Sequence, residues 1–191
     1  MKEGKIIILS APSGTGKSTI ISRLIEMEDL ALGFSISATS RSPRGSEQHG
    51  REYYFLSEKE FKKRVANGEF VEWEEVYPGT CYGTLLSEVK RVTGAGRNLI
   101  MDVDVKGALN IKKFFGAKAL AIFVMPPSKE ELEKRLRARS TDTEESIIKR
   151  LAKADFEMSF ADRFDTRVVN DDLEVATRRT AEIIRSFAAK D

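Results

Sequence analysis

The sequence predicts an α/β fold, a parallel sheet core wrapped by helices on both faces. Three observations carry that reading. Residues 5–9, KIIIL, are short, β-branched and apolar throughout, which suits a parallel strand buried on both sides. Residues 98–104, NLIMDVD, and 119–125, ALAIFVM, repeat that character. Stretches with helical spacing alternate with the strands, as parallel pairing requires.

The elements follow in order. Ile20, Ile21, Leu24 and Ile25 recur at helical spacing after the first strand. FSISA (34–38) alternates and reads as a strand, and EYYFL (52–56) as another. Ser57 and Glu60 form a capping box, and the helix they open ends at Asn67-Gly68. FVEWEEV (70–76) alternates apolar and acidic residues, so one face of that strand is polar. Trp73 on it reads as core. Tyr77-Pro78-Gly79-Thr80 is a turn, and a helix runs from about Thr84 to Gly94. Pro126-Pro127 end the strand at 119–125, and Ser128 with Glu131 caps the next helix. A further helix carries Ile147, Leu151, Ala154 and Met158 on one face. RVVN (167–170) is the last strand, and the C-terminal helix carries Val175, Ile183, Ile184 and Phe187. The stretch from about 35 to 90 breaks the alternation with consecutive strands and reads as an inserted subdomain.

Composition narrows the function. A chain of 191 residues suits one globular domain. Its net charge of +2 is too balanced for a non-specific nucleic-acid binder. Basic residues cluster locally at Arg41 and Arg44 and at Arg135, Arg137 and Arg139, which suits a small anionic ligand. The lone cysteine, Cys81, forms no intrachain disulfide and fits a reducing cytoplasm. The run ALAIFVM is far short of the ~20 residues that span a bilayer. No nucleic-acid or membrane partner is expected, and a cytoplasmic location is.

Residues 10–18, SAPSGTGKS, sit where the first strand feeds a helix. A helix N-terminus offers unpaired N–H groups and partial positive charge, which bind phosphate. Gly14 and Gly16 let the backbone curl inward, Lys17 supplies a charge for the β- and γ-phosphates, and Ser18 supplies a hydroxyl for Mg²⁺. Of the template G-x-x-x-x-G-K-[ST], only the first glycine is missing, replaced by Ala11. Such a loop predicts a bound nucleoside triphosphate without choosing between GTPase, ATPase and kinase. A GTPase needs N-K-x-D, and the nearest match, AKAD at 152–155, lacks the asparagine. A nucleoside monophosphate kinase needs a second anion pocket, a base pocket and an arginine-bearing lid. SATSRSPRGSEQHGREYY offers Arg41, Arg44, Tyr53 and Tyr54 for the second pocket.

The chain resembles the guanylate kinases over essentially its whole length. The motifs SAPSGTGKS, TSRSPRxxE, FVEWEEVYPGTCYGT, MDVDVKG, PPSKEELEKRLRARSTDTEESIIKRL and VVNDDL fall in that family's order. The resemblance implies a P-loop kinase fold with an inserted mixed α/β GMP-binding subdomain and a helical lid. It implies transfer of the γ-phosphoryl of ATP to GMP, and to dGMP, with Mg²⁺. Core segments would be 1–34, 91–125 and 151–191, the GMP-binding subdomain about 35–90, and the lid about 126–150. ATP would lie on Ala11, Pro12, Ser13, Gly14, Thr15, Gly16, Lys17, Ser18 and Thr19, with Asn170 on the adenine side. The GMP phosphate would lie on Arg41, Arg44, Tyr53 and Tyr82, and the guanine near Ser37, Glu72, Thr84 and Asp104. Arg135, Arg139 and Arg150 would be lid and catalytic arginines, beside Lys17 and Arg41. Cys81 and Lys106 depart from the usual pattern and carry no assigned role.

Guanine chemistry agrees. Its N1–H and N2–H₂ donors call for a carboxylate, and its O6 for a hydroxyl from Ser37 or Thr84. Adenine presents a lone pair at N1, so such a site discriminates by ~10⁴-fold or more. The residues alone do not separate Glu72 from Glu74 and Glu75. Asp102 and Asp104 end a buried strand. Asp102 is expected on the metal side with Ser18 and Asp104 on the guanine side, the alternative being a helix cap. Two other functions stay open: a kinase for a different monophosphate, and a guanylate-kinase-like interaction module without catalysis.

Overall fold

The computed structural model describes residues 3–138 and 143–190. β1 (Ile6–Ser10) is buried along its whole length. Its side chains alternate between two cores. Ile7 and Leu9 pack with α1 (Lys17–Ile25) and α7 (Leu173–Ala188), through Ile20, Leu24 and Ile184. Ile6 and Ile8 pack with α3 (Leu86–Thr93) and α4 (Val105–Phe115), through Val89, Val92 and Ile111. This two-sided burial is why the strand reads as unbroken apolar sequence. Each fully buried Leu or Ile contributes about 1.5–3 kcal/mol.

β1 is the centre of a five-stranded sheet. The order is β2 (Leu32–Phe34), β7 (Asn98–Asp102), β1, β8 (Ala119–Met125), β9 (Thr166–Val169), and every pairing is parallel. All carboxyl ends therefore point one way. The loop after β1, the aspartates after β7, the helical segment after β8 and Asn170 after β9 all leave from that edge, where ligands of open α/β sheets bind.

A smaller sheet has the order β4 (Tyr54–Phe55), β3 (Ala38–Thr39), β6 (Thr80–Leu85), β5 (Phe70–Tyr77). β3 and β4 run parallel, while β6 is antiparallel to both neighbours. α2 (Glu58–Ala66) covers it, and Phe61 is fully buried with Phe70, Cys81 and Leu85. Ser57 caps α2 by accepting from Glu60 N, and Gly68 takes φ +68° just past its end. The β5–β6 turn closes with Gly79 at φ +77° donating its N–H to Glu75 Oε1 (2.7 Å).

Four sequence expectations are corrected. The strand at 34–38 divides into β2 and β3, and residues 35–37 cross between the two sheets. The helix expected from Thr84 starts at Leu86, because residues 80–85 pair with β5 as a strand. Trp73 is 47% exposed rather than core, packed edge-on against Phe61 at 6.5 Å. Val175 is 52% exposed, so the buried stripe of α7 runs through Ala176, Thr180 and Ile184 instead. Gly33 is locked within β2, where an added Cβ would lie 2.5 Å from Val92 Cγ1.

The segment expected as a lid, about 126–150, holds α5 (Lys129–Arg137) and the first half of α6 (Glu144–Met158), and the two helices share a small core of Leu132, Leu136 and Ala154. α6 runs unbroken through residue 150, where a boundary between lid and core was expected. Among the described residues, no helix is long and apolar enough to cross a membrane.

Candidate active site: two cavities that share a wall

The phosphate loop runs between β1 and α1. Gly14 (φ +92°) and Gly16 (φ +90°) take left-handed backbone that other residues rarely adopt. Both are also sterically required. A Cβ on Gly14 would lie 2.8 Å from Leu136 Cδ2 of α5, and one on Gly16 would lie 2.5 Å from Asn170 Nδ2. Gly16 caps α1 with no side-chain hydrogen bond, so the helix N-terminus carries no internal anion. Ala11, Pro12, Ser13, Gly14, Gly16, Lys17, Ser18 and Thr19 line a cavity of ≈ 370 Å³. Thr15 does not line it. Its hydroxyl and N–H both donate to Pro12 O, at 2.7 and 3.3 Å, so it shapes the loop from beneath.

Lys17 Nζ forms an ion pair with Asp102 and donates to Val103 O at 3.3 Å. The lysine is thus held across the cavity floor between β1 and β7. Asn170, 4% exposed, donates from Nδ2 to Thr15 O at 2.7 Å. That contact holds the phosphate loop from the end of β9. Arg135 donates to the carbonyls of Asn170 (2.8 Å) and Asp171 (3.3 Å) and to Glu131 Oε1 (3.1 Å), tying α5 to the end of β9. Arg150 NH1 donates to Ser13 Oγ at 3.1 Å, so α6 touches the loop directly. Arg139 lies outside the described residues.

A second cavity, of ≈ 290 Å³, is lined by Ser37, Tyr53, Glu72, Tyr82, Asp104 and Gly107, with Glu74 and Val76 on the same face of β5. Glu72 and Thr84 are cross-strand partners, and Thr84 Oγ1 donates to Glu72 Oε1 at 2.9 Å. Burial pushes the Glu72 carboxyl above its ordinary pKa, the Thr84 hydrogen bond opposes this, and nearby Asp104 adds to the rise. Thr84 has one hydroxyl proton and spends it on the carboxylate. In this arrangement it orients Glu72, and Ser37 lines the same cavity. Asp104 lines the cavity and also caps α4, accepting from Gly107 N at 2.8 Å, which is the helix-cap alternative weighed for it.

Arg41 and Arg44 do not line this cavity, but Arg41 contacts two residues that do, Tyr82 and Tyr53. It donates from Nε to Tyr82 OH (3.1 Å) and lies 5.0 Å from the Tyr53 ring centroid. Its fork grips Glu47, a residue the sequence reading left without a role. Arg44 is exposed beside it. Tyr54 faces the opposite way and donates to Glu88 Oε2 at 2.9 Å, as strand alternation requires. Cys81 packs in the small core, where burial raises its thiol pKa, and Lys106 lies over the Phe156 ring of α6. His49 is an exposed loop residue whose Nδ1 accepts from Phe55 N at 3.1 Å.

The two cavities abut. Asp102, Val103, Asp104 and Lys153 line both. Lys153 and Glu157 were absent from the sequence reading, although they share a helix face with Arg150 at spacings of three and seven. Ser18 and Asp102 offer hard oxygen donors on the donor side. No cluster of three or more potential His, Cys, Asp or Glu ligands occurs among the described residues. Two oxygens suit Mg²⁺, which keeps waters and takes substrate phosphates, better than a metal that needs a protein cage.

Comparison with known proteins gives a consistent outcome. The family model for guanylate kinase matches residues 3–187. A guanylate kinase of Porphyromonas gingivalis is 56% identical over 186 residues, covering 97% of this chain and 99% of that protein. One of Bacteroides fragilis is 53% identical over 189 residues, covering 99% and 92%. The crystal structure of guanylate kinase from Anaplasma phagocytophilum superposes with a TM-score of 0.75 at 31% identity, covering 100% of this chain and 89% of that one. With the family model matching residues 3–187 and full-length relatives at 53–56% identity, the chain belongs to the guanylate kinase family.

Proposed function

We propose that this chain transfers the γ-phosphoryl group of ATP to GMP, and to dGMP, giving ADP and the diphosphate. The carrying observation is the shared wall. A cavity built on a phosphate loop and one built on Glu72 meet at Asp102–Asp104, so a donor and an acceptor nucleotide can place their phosphates together. The reading gives Arg41, Arg44, Tyr53 and Tyr82 to the GMP phosphate, Glu72 to guanine N1–H and N2–H₂, and Ser37 to O6. It gives the loop from Ala11 to Thr19 to the ATP phosphates, with Asn170 supporting the loop.

No protein nucleophile is needed. A GMP phosphate oxygen attacks the γ-phosphorus, and it is already anionic near neutral pH because a phosphate monoester's second pKa is ≈ 6. The chain contributes alignment and charge stabilisation. Lys17, fixed by Asp102, neutralises the β- and γ-phosphates, and Arg150 brings a second positive charge to the loop edge. Ser18 and Asp102 would hold Mg²⁺, which would supply further charge neutralisation there. Lid closure over the loop excludes water and suppresses ATP hydrolysis. The reaction fits a cytoplasmic setting, where the Cys81 thiol stays reduced.

A coupled assay for ADP release with GMP, AMP, dTMP and UMP tests the reading. GMP should be preferred by ~10⁴-fold over AMP. Preference for another monophosphate would assign a different acceptor, and no turnover with any would favour a binding module.

A further inference from the structure

Helix α6 presents Arg150, Lys153 and Glu157 along one face. Arg150 reaches Ser13. Glu157, only 5% exposed, lines the donor cavity. Lys153 lies between them and faces both cavities. Among the described residues it is the one cation that lines both. The rest of the shared wall is Asp102, Val103 and Asp104, so two of its other three members are carboxylates.

That wall needs positive charge. Two anionic phosphates must approach each other beside Asp102 and Asp104. Lys17 is engaged with Asp102 and Val103 O on the donor side. Arg41 is engaged with Glu47, and Arg135 with the carbonyls after β9. Lys153 is held differently. Its ammonium lies 3.8 Å from Glu157 Oε1, beyond hydrogen-bond distance, and its side chain is 66% exposed to the cleft. Glu157 anchors it electrostatically without occupying its N–H donors. Burial raises the Glu157 pKa, while Lys153 and Lys17 oppose the rise, which is the coupling expected of a carboxylate that serves nearby cations.

We propose that Lys153 is a further catalytic residue, donating hydrogen bonds to the phosphoryl group as it passes from donor to acceptor, and that Glu157 is its positioning residue. This rests on the ATP:GMP reading above. In the step, a GMP phosphate oxygen forms a bond to the γ-phosphorus. The bond from that phosphorus to the β–γ bridging oxygen breaks, and ADP leaves with the electron pair. Lys153 transfers no proton. Its ammonium stabilises the non-bridging oxygens where their charge moves.

The test uses the full chain with Lys153→Ala, Lys153→Arg and Glu157→Gln. Lys153→Ala should lower kcat about 10–100-fold with KM for ATP and GMP changed by less than about twofold, because the contact forms in the transition state. Lys153→Arg should recover most of the loss. Glu157→Gln should lower kcat by a smaller factor, and GMP binding without ATP should match wild type in all three. The Tm of Lys153→Ala should fall only slightly, since the side chain is exposed and its ion pair with Glu157 is 3.8 Å long. A Lys153→Ala enzyme with wild-type kcat would overturn the proposal, as would a loss confined to the KM of one nucleotide. A wild-type chain that fails to phosphorylate GMP would overturn the underlying reading and this proposal with it.

Discussion

Arg41 and Glu47 form a forked ion pair in the acceptor loop, with NH1 to Oε2 at 2.6 Å and NH2 to Oε1 at 2.8 Å. Arg41 NH1 also donates to Ser42 O at 2.9 Å, and Nε is taken by Tyr82. Four of the five N–H donors of a guanidinium are therefore committed. Glu47 Oε2 accepts in addition from Arg44 N at 2.8 Å, so one carboxylate organises the whole turn from Arg41 to Glu47. The Arg41 hydrogen bonds lower the Glu47 pKa to about 2, and it stays ionised at any working pH.

Glu47 is thus a positioning residue for the phosphate pocket. Glu47→Gln keeps the shape and removes the charge that holds the fork. The expected outcome is a KM for GMP raised roughly tenfold, the scale of one lost charge-assisted contact, with KM for ATP unchanged. Steady-state kinetics with each nucleotide varied in turn checks this. A lowered KM for GMP would mean that Glu47 competes with the substrate phosphate instead.

Glu72 sets function against stability. Its folded pKa is raised, so between the unfolded and folded values the native state binds more protons than the unfolded chain. Stability from this group is then present below its unfolded pKa, near 4.5, and is lost as pH rises through the folded value. At neutral pH the buried carboxylate costs stability, and Glu72→Gln should raise Tm. The same change should weaken GMP by about 2–5 kcal/mol, the range for truncating a buried charged hydrogen bond, with ATP affinity unaffected. GMP affinity of the wild type should also fall on acidification through the raised pKa, and the variant should keep only the part of that slope that comes from the GMP phosphate itself. Calorimetry across pH measures both, and equal weakening of GMP and ATP would remove Glu72 from the guanine pocket.

Asn170 and Gly16 belong to one contact. The amide supports Thr15 O from below, and the absent Cβ of Gly16 leaves it room. Asn170→Ala leaves a buried carbonyl unpaired, at a cost of about 1–3 kcal/mol in stability. It should raise KM for ATP more than KM for GMP. Gly16→Ala should be worse on both counts, because φ +90° is strained for alanine and the amide must move. Denaturant unfolding together with ATP titration distinguishes the two effects.

What sequence could reveal depended on the range of the interaction. β1, β7 and β8 were legible because burial on both faces writes itself as an unbroken apolar run. The phosphate loop was legible because its geometry is local. β6, TCYGTL, was hidden: its small and polar residues show no alternation, and pairing with β5 makes it a strand. α4 was hidden too, since Asp104 was weighed first as a ligand and Gly107 interrupts the pattern. Among three glutamates of β5, only the Thr84 partner and burial single out Glu72. Lys153 could not have been found from spacing alone, because its place depends on α6 reaching the end of β7.

Closure is the remaining expectation. Glu72 and Thr84 belong to the small sheet, while Asp104 and Gly107 belong to the start of α4, which packs on the main sheet, and the acceptor cavity has lining residues from both sides. A bound guanine therefore bridges two bodies joined by residues 35–37 and by the β6–α3 junction at Leu85–Leu86. Glu88, 1% exposed, clasps that joint by accepting from Ile36 N (2.9 Å), Tyr54 OH (2.9 Å) and the Arg91 fork (2.7 and 2.8 Å). Burial pushes its carboxyl pKa up, and those bonds outweigh it, so it stays ionised at neutral pH. Arg150 and Lys153 lie on α6 and Arg41 on the loop that follows β3 of the small sheet, so their charges come to the cleft from different elements. Nucleotides must still enter and leave, which a permanently closed site forbids. Binding of GMP with a non-hydrolysable ATP analogue should therefore reduce the radius of gyration in small-angle scattering and slow hydrogen exchange in α5 and α6, by a hinge motion on μs–ms timescales. Glu88→Ala should leave residues 35–37 exchanging faster with and without ligand, separating the joint from the ligand contacts. An unchanged radius of gyration together with unchanged exchange in the lid would mean that the site is preformed and that access runs through the open cleft alone.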